Sequence, residues 1–288
     1  LNFFNKNKMT AIDNYVKYWD DWHEEWYSNA LTSPPIVGKV KEWITPIDNG
    51  GNENPIWQYF PEPYWGNPYS ENVAVFLNLN PGGGGDCQDV LSVNQPSSIL
   101  YNTYSTNKLY SRTVEQLSKN LCYVTTNWFD RKRVNWLKKL MNCSSSNIEN
   151  KYSIDNIFCA DLIPWHTPTF NKINEKYIIK HKEQIFDHVI KSITSISQQA
   201  TLKGLVFAKG RATNSILLQL IGKPTKQYKN GKFEINLFNY NNAVILVFVG
   251  GQGMLLPNPC NKNYILDSNK NMVSINDIVQ QIQSDKTK

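Results

Sequence analysis

Asn80 is followed by Pro81 and four glycines, Gly82 to Gly85, directly after an apolar run from Val73 to Leu77. Such a run is what a strand buried on both faces shows. No strand or helix interior tolerates the glycines behind it. A buried strand that breaks into a glycine-rich turn is where open α/β sheets place ligands. Bare N–H groups there can approach a phosphate or a base, and Asn80, held by Pro81, can orient a water. An amide is a poor general base, so this arrangement suits a dissociative reaction with a good leaving group. The competing reading of Asn80 is a simple Asn-Pro turn without chemistry. Residues Asn80 to Gly85 are the expected centre of the site.

Three further strand ends carry side chains suited to recognition. The run Ile154 to Ala160 stops at Asp161 and continues Leu-Ile-Pro-Trp-His-Thr-Pro-Thr-Phe. A carboxylate at Asp161 accepts hydrogen bonds, for example from an exocyclic amino group. His166 is a candidate acid or base, with a structural role as the alternative. Trp165 and Phe170 either stack on a ligand or pack beneath the loop. Leu202 to Ala208 is followed by Lys209-Gly210-Arg211, where the two cations either bind phosphate or stand in solvent. Ala243 to Val249 runs into Gly250-Gly251-Gln252-Gly253-Met254-Leu255-Leu256-Pro257. The apolar tip of that glycine-hinged loop either projects or is buried.

The elements that must position these residues alternate. Helical segments are expected at 9–30, 111–120, 130–142, 173–196, 212–221 and 273–283, with a shorter alternating strand at 233–238. Four buried strands interleaved with helices predict a three-layer α/β/α domain with a central four-stranded, mainly parallel sheet. Residues 1–55 read as a helix-and-loop extension packed on a core formed by 56–288. In the first helix, Thr10 and Asp13 form a weak variant of the capping box. Its stripe Tyr15, Trp19, Trp22, Trp26 docks on the body rather than offering a base-stacking face. The Phe60–Tyr69 loop has prolines that fix φ and aromatics that must bury somewhere, in the core or as a pocket wall. Arg131, Lys132, Arg133, Lys138 and Lys139 make a basic helix, read as a solvated face or as a grip on a nucleic-acid backbone. Residues 86–110 read as irregular and 144–151 as a polar linker.

Composition narrows the class. The 288 residues are 41% hydrophobic and 19% charged, which is globular, and the net charge of +6 is compatible with a polyanionic partner without demanding one. The five cysteines, Cys87, Cys122, Cys143, Cys159 and Cys260, include no C-x-x-C pair, which argues against a zinc ribbon or an iron–sulfur cluster. Reduced thiols, a cytoplasmic location, no metal and no cofactor are expected. No secretory segment or membrane span is read. There is neither a G-x-x-x-x-G-K-[ST] loop nor a G-x-G-x-x-G fingerprint, against a nucleotide enzyme. Asp86, Asp89 and Asp161 do not make a convincing metal cluster, against a nuclease.

Set side by side, the strand ends resemble those of the uracil-DNA glycosylase superfamily over roughly residues 60 to 260. Asn78-Leu79-Asn80-Pro81-Gly82 is similar to the G-x-N-P-G motif of the mismatch and thymine branches, with Asn78 in place of the opening glycine. Asp161 stands where that family reads a flipped base with an amide. Gly251 to Leu256 stands at its H-P-S-P-L motif, with Gln252 at the histidine and Leu256 at the intercalating leucine. The resemblance implies a monofunctional glycosylase that flips a base from double-stranded DNA and hydrolyses its glycosidic bond. It places Asn80, Gln252 and His166 in catalysis. It puts Asp161, Asn78, Gly82, Gly83, Trp165 and Phe170 around the base, and Gly84, Lys209, Arg211, Gly253, Met254, Leu255 and Leu256 on the DNA. Two departures point to the substrate. The carboxylate of Asp161 suits the N4 amino group of cytosine better than the O4 of uracil, unless burial protonates it. Glycines at 83 to 85 leave room at C5 for a large substituent, as in the glucosylated hydroxymethylcytosine of some phage genomes. The expectation is an anti-phage glycosylase acting as a monomer. A non-catalytic binder of modified DNA and a uracil or thymine-mismatch repair enzyme are the alternatives.

Overall fold

The computed structural model describes residues 10–28, 64–66, 68–69, 71–79, 133–143, 157–163, 180–231, 233–250, 256–262 and 265–286. The sheet is built from β1 (Tyr64–Trp65), β2 (Ala74–Asn78), β3 (Ile157–Asp161), β4 (Leu205–Lys209), β5 (Lys226–Asn230), β6 (Phe233–Tyr240) and β7 (Ala243–Val249), in the order β1-β3-β2-β4-β7-β6-β5. Strands β3, β2, β4 and β7 run parallel. Strand β1 is antiparallel to β3, and β6 and β5 continue the other edge antiparallel.

The expected four-stranded sheet is therefore the parallel centre of a seven-stranded one. The added strands have physical reasons to escape a pattern search. Strand β1 is only two residues long and follows a proline-rich stretch. In β5 only Tyr228 is buried, so the edge strand Lys-Gln-Tyr-Lys-Asn shows no apolar alternation. A small hairpin, β8 (Ile265–Leu266) with β9 (Met272–Val273), also lies outside the expectation.

Helices cover both faces, as parallel strands buried on two sides require. Among the described residues they are α1 (Ala11–Ser28), α2 (Asn135–Asn142), α3, α4 (Arg211–Leu220) and α5 (Ile275–Asp285). Helix α3 runs as Lys182–Ile185, a π-helical stretch Phe186–Ile190, and Lys191–Ser197. Trp136 of α2 packs edge-on against Phe207 and Phe248 on one face. On the other, Tyr15 of α1 meets Phe158 and Tyr64, and Phe186 of α3 meets Tyr240. Helix α1 is capped as expected: Thr10 Oγ1 accepts from the Asp13 N–H while Asp13 accepts from the Thr10 N–H. Its Tyr15, Trp19 and Trp22 are buried, which makes them a docking stripe. Tyr64, one of the loop aromatics, is also core. Gly66 next to it has φ +92°, and a Cβ there would lie 2.4 Å from the Ile157 carbonyl oxygen, so only glycine fits.

Cys143 and Cys260 form a disulfide with their Cα atoms 5.5 Å apart, which corrects the expectation of reduced thiols for that pair. The pairing joins residues 117 apart, a proximity that only the fold creates. Cys159 is free and buried, whereas Cys87 and Cys122 lie outside the described residues. Among the described residues, no helix is long and apolar enough to cross a membrane.

Candidate functional site at the strand ends

The parallel register brings Asn78 and Asp161 together. They are the last residues of β2 and β3 and face each other as a registered pair, one step beyond Phe76 and Cys159. Side chains alternate along a strand, so Phe76, Asn78, Cys159 and Asp161 share one face, the face that α2 covers. Extending the β2–β4 register by one residue past Leu77↔Ala208 sets Lys209 level with Asn78. A row of three polar residues, Asp161, Asn78 and Lys209, thus closes the carboxyl ends of β3, β2 and β4. Strand β2 lies between β3, which follows it in the chain, and β4, which follows β3. That reversal of order is where doubly wound sheets open a crevice.

The backbone holds this end of the sheet together. The Leu162 N–H donates to the Asn78 carbonyl and the Ile163 N–H to that of Leu79, both at 3.0 Å. The chains leaving β2 and β3 are thereby kept side by side. Across the crevice, the Gly210 N–H donates to Phe248 O and the Arg211 N–H to Gly250 O. These bonds use the N–H groups of the N-cap, Gly210, and of the first helical residue of α4, Arg211, and so tie the start of that helix to the end of β7.

Asp161 is 2% exposed and Asn78 6%. The Asn78 Oδ1 has no hydrogen-bond partner among the described residues. Arg133, in the turn of helix just before α2, reaches the same face. Its guanidinium lies 5.4 Å from the centre of the Phe76 ring, and its Nη1 is 3.9 Å from Cys159 Sγ. Burial pulls Arg133 below its usual value, opposed by Cys159 and by the charge of Asp161. Burial pushes the Cys159 thiol up to about 12, with Arg133 opposing and Asp161 reinforcing. Tyr15 of α1 is within electrostatic reach. Burial first, and the Asp161 charge second, raise its hydroxyl well above the ordinary range.

Of the residues singled out from the sequence, the fold brings together Asn78, Asp161 and Lys209. Arg211 is exposed on the first turn of α4. Leu256 is partly buried against the hydrophobic core. Asn80, Gly82, Gly83, Gly84, Trp165, His166, Phe170, Gln252, Gly253, Met254 and Leu255 lie outside the described residues. Arg133 is a correction: it is a buried cation, not part of a solvated or DNA-gripping face. The signal for it was present, because Arg133, Trp136, Leu137 and Leu140 fall at i, i+3, i+4 and i+7, and all four are buried. The helical spacing places Tyr15 in a docking stripe, and nothing in its local sequence shows its nearness to Asp161.

No family model matches this chain, and no curated protein matches it. What the fold itself defines is a doubly wound α/β sheet with buried polar residues at the carboxyl ends of its parallel strands.

Proposed function

We propose that this chain is a DNA glycosylase that hydrolyses the N-glycosidic bond of a flipped, bulky C5-modified cytosine, such as glucosylated hydroxymethylcytosine, and leaves an abasic site. The observation that carries the reading is the buried Asn78–Asp161 pair at the end of β2 and β3. A carboxylate and an amide oxygen are acceptors, and together they suit a base edge that presents an amino group. The similarity of residues 78–82, 161 and 251–256 to the glycosylase motifs supports the same reading, as does the position of Asn80 two residues beyond Asn78.

The chemistry follows from the bond. The C1′–N bond lengthens through an oxocarbenium-like state, and a water oriented by Asn80 adds to C1′. The bonding electron pair leaves with the base, which takes up a proton, and the sugar keeps the hydroxyl. Gln252 or His166 is assigned to the charge developing on the base. Glycines 83 to 85 leave space for the C5 substituent, and Met254 and Leu255 are assigned to the gap in the stack. Asn80→Ala removes the water-orienting amide. The protein acts on double-stranded DNA as a monomer, in defence against phage whose genomes carry such bases.

The test is a gel assay for alkali-labile sites on matched duplexes carrying uracil, cytosine, hydroxymethylcytosine or its glucosylated form. Scission confined to the bulky modified cytosine and lost in Asn80→Ala is the expected result. Scission of uracil alone overturns the substrate, and tight binding without scission overturns the enzyme.

A further inference from the structure

The Asn78–Asp161 pair sits above a buried positive charge. Phe76 and Cys159 are the registered pair one step down the same face, about 7 Å below by the rise of two strand residues. The Arg133 guanidinium stands at both of them, 5.4 Å from the Phe76 ring centre and 3.9 Å from the Cys159 sulfur. A carboxylate that is 2% exposed has little water to stabilise its charge. The described groups around it can be weighed one by one. Tyr15, approaching from α1, and Cys159, on its own strand, are both acids held neutral by burial. Asn78 on β2 is uncharged. Lys209, at the end of β4, is only partly buried and stands beyond Asn78 in the row. Arg133, from the turn before α2, is the buried cation.

We propose that Arg133 is a specificity-determining positioning residue: the counter-charge that keeps Asp161 an acceptor-only carboxylate, so that the site selects a base edge offering an amino group. The choice of base rests on the glycosylase reading, whereas the charge pairing rests on the β2–β3 register and on the two contacts of Arg133. A neutral Asp161 would present a hydroxyl donor and accept a carbonyl edge instead. Arg133 thus acts on the ligand through Asp161 without touching it. A guanidinium stays charged when buried more readily than an ammonium, which suits this position.

The experiment follows the Asp161 carboxyl by carbon-13 NMR in the full chain as pH is lowered, the signal being assigned by its loss in Asp161→Asn. Arg133→Met is expected to raise the titration midpoint by about one pH unit or more. Arg133→Lys is expected to restore most of the shift. Cys159→Ala, which removes packing but no charge, is expected to leave the midpoint in place. An unchanged midpoint in Arg133→Met overturns the proposal. If Arg133→Met does not fold, the double variant with Asp161→Asn decides: recovery of the fold supports the pairing, and no recovery overturns it. Excision is read in parallel on glucosylated hydroxymethylcytosine and uracil duplexes. Arg133→Met is expected to lower the preference for the amino-bearing base by up to about tenfold at pH values near and below the wild-type midpoint, where the variant carboxyl is more fully protonated. It should also move the acid limb of the rate profile to higher pH. A carboxyl shift with no excision of any base by the wild type supports the pairing and refutes the glycosylase reading. Excision with an unshifted carboxyl does the reverse.

Discussion

Two regions of the sheet bury polar side chains, and they treat them in opposite ways. On the antiparallel flank, Asn236 of β6 donates to Asn214 Oδ1 of α4 at 2.9 Å and to Glu234 Oε1 at 3.0 Å, and its own oxygen accepts from Gln227 Nε2 at 3.1 Å. Both ends of the Asn236 amide are matched within the described chain, the condition under which buried amides fix a single arrangement. At the parallel end Asn78 is also buried, yet its oxygen has no partner among the described residues. Its neighbour is a buried carboxylate with an arginine one step below. A polar group buried without a match is destabilising. On the glycosylase reading proposed above, the bound base completes that oxygen. The first region is completed by the described chain itself, and the second is the one assigned to a ligand.

The largest effect that would break this contrast is on turnover. Asn80→Ala is expected to reduce excision by about 10²–10³-fold, the usual loss when one oriented amide is removed from a reaction centre. Its urea midpoint should stay near wild type. Asn236→Ala is expected to do the reverse, lowering unfolding free energy by about 1–3 kcal/mol through its stranded partners while leaving the excision rate unchanged. Urea titration and the abasic-site assay on both variants place each region on its own axis.

A pH series sharpens the comparison from the acid-group side. Cys159, raised from an ordinary 9.0 to about 12, and Tyr15, raised by burial, are both held protonated by folding. Their contribution is present below the unfolded values and is lost as pH rises through the folded ones. Stability should therefore fall above about pH 9, by roughly 1.4 kcal/mol per pH unit for each group titrating. Cys159→Ala should flatten part of that slope in thermal unfolding curves. The smallest effect is expected for Asn78→Leu. Removing an unmatched amide at similar volume should change stability by less than about 1 kcal/mol, in the stabilising direction, while excision falls.

Much of the parallel centre was legible because buried strands leave apolar runs. Val73 to Leu77, Leu202 to Ala208 and Ala243 to Val249 all mark strands to within three residues at either end. The helix docking through Tyr15, Trp19 and Trp22 was legible from its spacing, and its cap from Thr10 and Asp13. Strand β5 was not, because an edge strand with one buried residue carries no period. The pairing of Asn78 with Asp161 could be placed only by strand ends, since register is set by neighbours 83 residues away in the chain. Arg133 was missed for a different reason. Among Arg131, Lys132, Lys138 and Lys139 its charge reads as surface, whereas its position in the helical stripe decides its burial.

The bond between Cys143 and Cys260 also has a topological meaning. It closes a covalent ring that contains β3, α3, β4, α4 and β5 to β7, while α1, β1, β2 and α2 hang outside it on one side and β8, β9 and α5 on the other. Three of the four parallel strands lie inside that ring, but β2, which carries Asn78, does not. A single backbone cut anywhere between Cys143 and Cys260 leaves one molecule until the bond is reduced. A cut between Asn78 and Arg133 divides the oxidised protein in two, with one half of the polar pair on each piece.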